Sequence, residues 1–387
     1  QFQIDSQGQI VPMLPDVIPP ELEHNINIAN IMDESQLGVL SNELLEAYDE
    51  DKASRKDWLD GFTKGLDLLG IKPEDRDEPF PGATGVTHPL LSEACTQFQA
   101  QAYKELLPSN GPVKTQVVGA ETPEILAQSQ RVKEFMNYQI TDVMEEYDPD
   151  MDSLLFYLPL SGSAFKKVYY DNILGRAVAS FVKAEDLVVS YDTTNLETSP
   201  RICHVVNMTG NDIRKMQVNG IYRDIDLNNA SSVQYDQAKE KIDELQGLSR
   251  PASDYNEYTI LEFHVDLELE GVDDYDYAVP YIVSILEDSG EILAIRRNWN
   301  QNDELMKKKE YFVHYKFLPG LGFYGFGLIH MIGGLTKSAT SILRQLIDAG
   351  TLSNLPAGFK ARGMRVQGED EPLRPGEFRD VDVPGGT

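Results

Sequence analysis

Residues 310–364 constrain this chain more than any other stretch, reading EYFVHYKFLPGLGFYGFGLIHMIGGLTKSATSILRQLIDAGTLSNLPAGFKARGM. The apolar, aromatic run 311–317 reads as a strand and breaks at Pro319-Gly320. A glycine-rich turn follows. Beyond it Leu328, Met331, Ile332, Leu335, Ala339, Ile342, Leu343, Leu346 and Ile347 recur at three- and four-residue spacing, which gives one helix an apolar face. Gly350 stands where a C-terminal cap is wanted, and Pro356 forbids continuation soon after. The spacing thus predicts a helix over 327–349, about 35 Å long at 1.5 Å per residue and longer than the average globular helix. Gly333-Gly334 interrupts helix propensity midway. Close packing against a neighbour and a flexible point both account for that pair.

At 387 residues the chain exceeds one ordinary core, so two or more packed regions are expected. The spacing of Leu44, Leu45, Tyr48, Trp58, Leu59, Phe62, Leu66 and Leu69 predicts a helix over 41–69, broken near Asp51 and ended by Gly70. Thr87-His88-Pro89 opens a second helix, which Pro108 and Pro112 stop. Thr122-Pro123-Glu124 opens a third, carrying Ile125, Leu126, Val132, Phe135, Met136, Ile140, Val143 and Met144, and a fourth is expected over 152–158. The period then changes. Runs 164–170 and 177–182 flank Asn172-Ile173-Leu174-Gly175, a hairpin signal, and strands are expected at 187–190 and 201–208. Short helices are expected near 211–218 and 233–245. Three long runs, 258–269, 277–286 and 291–299, predict a meander continuing into the strand at 311–317. This order gives an α+β chain without regular βαβ alternation.

Residues 320–325, GLGFYG, match G-x-G-x-x-G between a strand and a helix, the setting of a dinucleotide fingerprint. A nucleotide-binding enzyme using Gly320 to Gly325 is therefore one reading. Against it, the preceding strands form a meander, Phe323 and Tyr324 would crowd a pyrophosphate, and the nearest acid, Asp348, lies on the helix itself. A sharp corner between two rigid elements is the competing reading. Asp148, Asp150 and Asp152 have the spacing of a calcium loop, but Ser153 and Pro159 occupy the positions of its glycine and glutamate. Acids at the positive end of a helix explain them better. The six histidines are scattered, no P-loop or H-E-x-x-H is present, and two cysteines, Cys95 and Cys203, provide no metal cluster. No catalytic residue, cofactor or metal is expected.

The strand, glycine corner and long helix resemble the portal proteins of tailed bacteriophages, in particular the large portals of short-tailed phages. Two upstream segments add to the resemblance: FPGATGVTHPLLSEACTQFQAQAYKELL over 80–107 and GSAFKKVYYD over 162–171. The likeness covers about residues 40–380 in order. It implies an extended acidic arm over 1–35 and a wing domain over 36–326, with a helical part at 40–158 and a mixed β part at 162–318. A stem helix at 327–350 and the start of a clip domain at 351–387 would follow. The implied function is structural: a homo-dodecameric ring at a capsid vertex of the virion, through which double-stranded DNA is packaged and ejected. Implied partners are the terminase large subunit, a head–tail adaptor, and the major capsid and scaffolding proteins, with no membrane. A non-viral oligomeric scaffold is the remaining alternative.

Within that likeness several residues acquire roles. His330, Lys337 and Arg344 stand seven apart with Ser341 beside them. They form either a solvated face or, in a channel, stacked rings of positive charge toward the DNA backbone. Leu335, Ile342, Leu343 and Leu346 would pack the stem helices side by side and against the wing. Lys360, Arg362 and Arg365, in a predicted hairpin of runs 357–366 and 377–383, would dock terminase and adaptor or pair with acids such as Glu377 and Asp380. Composition agrees with transit without adhesion: the formal net charge is −29, and residues 1–50 hold ten acids and no Lys or Arg. Broad grip on nucleic acid needs basic side chains, although self-repulsion for solubility explains the charge equally well. The prolines at 12, 15, 19 and 20 mark an arm that adds little to a core. The chain opens on Gln1 and closes after Pro384-Gly385-Gly386, so a fragment of a longer polypeptide is expected.

Overall fold

A computed structural model describes residues 2–4, 10–12, 20–71, 83–227, 237–247, 257–269, 272–273, 275, 277–354, 365–366 and 381–382. Two short strands, β1 (Phe2–Ile4) and β2 (Ile10–Pro12), pair antiparallel, and helix α1 (Pro20–Asn25) follows. Beyond this point the expected arm gives way to the body of the protein. Ile28 and Ala29 are buried. Asn27 Nδ2 donates to the Leu293 carbonyl at 3.0 Å, and its Oδ1 accepts from Ile295 N at 3.0 Å. Prolines and weak periodicity suggested a segment without a core, but Asn27, together with Arg297 donating to the Glu23 carbonyl at 2.8 Å, anchors it to a strand edge.

Helices α2 (Glu34–Ser54) and α3 (Lys56–Gly65) meet at Arg55, four residues past the predicted break, and Gly70 ends the segment in the left-handed region at φ 67°. Next come α4 (Leu90–Leu106) and α5 (Pro123–Tyr138). The start of α5 is set by Thr122, whose Oγ1 accepts from Ile125 N at 3.3 Å, with Pro123 at the first helical position. Helix α6 (Tyr147–Ser161) is longer than predicted. The three acids at its start bind separate elements. Asp148 accepts from the Tyr103 hydroxyl, Asp150 from Phe181 N, and Asp152 from Gln99 Nε2.

Strands β3 (Ser163–Asp171) and β4 (Arg176–Lys183) form the predicted hairpin, in which the Asp171 carboxylate accepts from Ile173 N and Leu174 N at 2.7 and 3.0 Å. Then follow β5 (Leu187–Val188), β6 (Arg201–Thr209), α7 (Gly210–Val218) and α8 (Gln237–Gln246). The meander appears as β7 (Glu257–Leu267), β8 (Val279–Leu286) and β9 (Ile292–Arg297) in a five-stranded antiparallel sheet of order β5-β6-β7-β8-β9. It does not continue into β10 (Phe312–Lys316), contrary to expectation. That strand crosses to the other sheet, of order β10-β3-β4, and pairs with β3. Asn27 already occupies the outer edge of β9.

Helix α9 (Leu328–Asn354) has 27 residues. It runs through Gly350 instead of ending there, because Gly350 does not adopt the left-handed conformation a cap requires. Past it lie β11 (Arg365–Val366) and β12 (Val381–Asp382), paired antiparallel at the positions where the predicted hairpin runs face each other. The class is α+β.

Apolar side chains gather in two principal cores. One packs α3, α4 and α6 against the three-stranded sheet and the glycine corner, with Phe62, Leu91, Leu154, Phe165, Phe323 and Tyr324 at its centre. The other packs α2 on the five-stranded sheet, around Tyr48, Leu261, Phe263 and Tyr281.

Candidate assembly surface on the long helix

Close packing fixes the corner that aims α9. A Cβ added to Gly325 would stand 2.4 Å from the Gly162 carbonyl oxygen, and one added to Gly327 would stand 2.2 Å from that of Leu160. Only glycine permits such backbone approach. Gly162 itself, at φ +92°, ends α6 in the left-handed region. Phe323 and Tyr324 are fully buried between these passes. Tyr324 stacks on Trp58, its ring 4.5 Å away, and its hydroxyl lies 2.9 Å from the Leu187 carbonyl and 3.1 Å from Arg55 Nη1. Arg55 is 1% exposed and also donates to the carbonyls of Ala184, Glu185 and Leu187. The protein's own backbone and aromatic rings therefore fill the space beside the glycines that a pyrophosphate would need. This geometry weighs against a nucleotide at the corner, where G-x-G-x-x-G serves as a joint.

On α9 the apolar and polar faces are inverted relative to an ordinary surface helix. Its buried residues are Ile329, Gly333, Thr336, Thr340, Arg344 and Asp348. Three of them hold the extended segment before α4. Asp348 Oδ1 accepts from Thr84 N at 2.8 Å, Thr340 Oγ1 accepts from His88 N at 3.0 Å, and Arg344 Nε donates to the Val86 carbonyl at 2.7 Å. Arg344 Nη2 also donates to Thr87 Oγ1 at 3.3 Å. The opposite face carries Met331, Leu335, Ile342 and Leu346, with Leu335, Ile342 and Leu346 exposed by 65%, 66% and 71%. Leu343 lies half-buried on the flank. Gly333 packs closely: its added Cβ would stand 3.2 Å from Leu68 Cδ1.

The proposed basic stripe is not formed as one outward face. Arg344 is turned into the body by its bonds to the 84–88 segment. His330 is half-buried, accepts from Gly327 N through Nδ1 at 3.1 Å, and burial pushes its pKa down. Lys337 and Ser341 remain exposed. Periodicity brings the three basic residues to one side, but the segment before α4 covers the part where Arg344 lies. Lys360 and Arg362 lie outside the described residues. Arg365 opens β11, opposite Asp382.

Helix α5 turns outward the apolar residues that the spacing assigned to the third helix. It has no buried residue, and Ile125, Val132, Phe135 and Met136 are exposed by 41–60%. Its polar ties run to the segment just before it: Asn137 Oδ1 accepts from Val113 N at 2.9 Å, and Ser129 Oγ bonds Thr115 Oγ1 at 2.9 Å.

One cluster of ionisable groups sits between the sheets. Lys167 Nζ and His264 Nε2 lie 2.6 and 2.8 Å from the same oxygen of Glu262. Burial alone would raise the Glu262 carboxyl, but Lys167 and His264 outweigh it and hold the group well below the usual carboxylate range. Burial depresses His264 and pushes His204 down to about 3. His314, bordering a cavity of about 420 Å³ with Ile202, Lys308 and Phe312, is likewise pushed down to about 3 by burial. Neutral imidazoles and a carboxylate consumed in an ion pair make a structural cluster. Among the described residues, no group of three or more His, Cys, Asp or Glu side chains could hold a metal ion. None of the described helices is long and apolar enough to cross a membrane.

Comparison with known proteins assigns no family. No family model matches the chain, and no curated protein is significantly similar to it.

Proposed function

We propose that this chain is the subunit of a portal-type ring at a phage capsid vertex, a structural channel for genome packaging and ejection and not an enzyme. The observation that carries the proposal is α9. A helix of 27 residues places hydrogen-bonding side chains against its own body and leaves Met331, Leu335, Ile342 and Leu346 outward. Apolar surface of this extent favours contact with another protein surface. A subunit whose stem helix is completed by its neighbours would have this arrangement. The strand-to-helix corner, locked by glycines and by Arg55, supports the same reading because a ring needs every subunit to project its helix at one angle. Terminase, adaptor, capsid and scaffolding proteins are the partners this reading assigns, and duplex DNA passes through without sequence-specific contact.

The test is direct. Native mass measurement and negative-stain electron microscopy of the purified chain should give a closed ring with a central opening. A species that stays monomeric at high micromolar concentration, or that grows as open filaments, overturns the proposal.

A further inference from the structure

Two helices of this chain bear apolar stripes that stay 41–71% exposed among the described residues, and the stripes resemble each other in length and spacing. On α9, Met331, Leu335, Ile342 and Leu346 follow at intervals of four, seven and four; on α5, Ile125, Val132 and Met136 follow at seven and four, with Phe135 alongside. Such intervals keep a stripe on one side of a helix and let two stripes interlock along their ridges. From Met331 to Leu346 the stripe spans roughly 22 Å, and from Ile125 to Met136 roughly 17 Å, at 1.5 Å per residue.

Their electrical character is as distinctive as their shape. The chain carries a formal net charge of −29, so two copies repel one another over most of their surface. Helix α5 is neutral, with Glu124 and Glu134 against Arg131 and Lys133. Helix α9 exposes a single charged side chain, Lys337, since Arg344 and Asp348 are buried. These two faces are surfaces on which copies can approach without that penalty. Their size fits as well. Each face offers four large, partly exposed apolar side chains toward the ~800 Å² that one partner of a standard interface buries.

Symmetry limits the partner further. If the α9 stripe met the same stripe of another copy face to face, the contact would be isologous and would close as a two-fold dimer. A ring requires two different, complementary patches on each subunit. We propose that α5 of one copy lies along the outward stripe of α9 of the next copy. This rests on the ring reading and specifies its interface: a wing helix of one subunit clasps the stem helix of its neighbour.

Site-directed cross-linking tests it. Native Cys95 and Cys203 are both buried, so introduced cysteines report alone. Copies carrying Val132→Cys or Met136→Cys are co-expressed with copies carrying Leu335→Cys or Ile342→Cys and treated with a short bis-maleimide linker. Linked pairs containing one copy of each kind are expected, and none from either kind alone. Rings that form but give no mixed pair, or that link Ile342→Cys copies to each other, overturn the α5–α9 contact while leaving the ring reading standing. A monomer overturns both. As a second measurement, Val132→Asp combined with Phe135→Asp should weaken association at least about tenfold. Because both positions are exposed in the single chain, its thermal midpoint should not move. Unchanged association rejects the proposal.

Discussion

Changing Ile342 to Asp should leave the folded subunit almost untouched and stop it from associating, whereas changing Arg344 to Met should do the reverse. The two residues stand two positions apart on α9 and lie on opposite faces. Ile342 is 66% exposed in the single chain, so the substitution falls among surface changes, usually within about 0.5 kcal/mol. In an assembly the same residue is covered. Losing its remaining burial removes about 1–2 kcal/mol, and enclosing a carboxylate without a partner costs about 2 kcal/mol more, even with partial compensation. A loss of 3–4 kcal/mol weakens association by roughly two to three orders of magnitude. Arg344 instead donates from Nε to Val86 O at 2.7 Å and from Nη2 to Thr87 Oγ1 at 3.3 Å. Methionine fills part of the volume but donates nothing, and loss of hydrogen bonds to a charged group costs about 1.5–3 kcal/mol each. Urea unfolding of the single chain measures the second effect, and sedimentation velocity across a concentration series measures the first. If Ile342→Asp lowers the unfolding midpoint as much as Arg344→Met does, the outward stripe is packed within the subunit and the reasoning fails.

Three further outcomes are expected. Gly325→Ala and Gly327→Ala drive a methyl group into backbone oxygens at 2.4 and 2.2 Å, and neither oxygen can swing away. Both variants should unfold several degrees lower or accumulate insoluble, while Gly334→Ala, with nothing within 4 Å, should be neutral or stabilising in a melting experiment. Stability should fall on acidification between pH 6.5 and 3. His204 and His314 have folded pKa values near 3 against an ordinary 6.5, so in that window the unfolded chain binds more protons and acid favours it, with a slope of about 1.4 kcal/mol per pH unit for each histidine. His314→Gln should flatten the profile, and a flat wild-type profile would contradict the burial of these rings. Cys95 and Cys203 are both buried, and burial pushes the Cys95 thiol up to about 11, so a thiol reagent at pH 8 should react with neither until the protein unfolds. Rapid labelling of the native chain would refute this.

Much of the architecture was legible because it follows from period. The change from helical to alternating spacing near Ser161, the hairpin at Asn172-Gly175, and the start of the long helix after Gly327 all appear within about four residues of their predicted places. The direction in which a face points was not legible. The spacing of Leu335, Ile342 and Leu346 specifies that a stripe exists, but whether its partner is the same chain or another copy lies outside the helix. The burial of Thr340 and Asp348 was not legible because a buried polar residue is recognised only through its partner, here a backbone segment some 250 residues upstream. Arg55 was missed for a similar reason. Its four acceptors come from residues 184–187 and 324, and no local pattern announces them. The strand 311–317 was placed at the edge of the meander since chain neighbours usually pair. Nothing in sequence signalled that Asn27 had taken that edge.

The burial of Arg55 also governs the order in which the molecule can form. Its guanidinium joins the junction of α2 and α3 to a turn about 130 residues away and to Tyr324, 269 residues away. Closing contacts of such separation is entropically late in folding. Until Tyr324 arrives, the Arg55 guanidinium lacks the hydroxyl that ties it to the glycine turn, and the corner that sets the direction of α9 stays loose. The helix that would meet another copy is thus aimed by a step that waits on a stretch of 269 residues. A newly made polypeptide presents a correctly directed stripe only when its body is finished, which keeps half-folded chains from being built into a larger assembly.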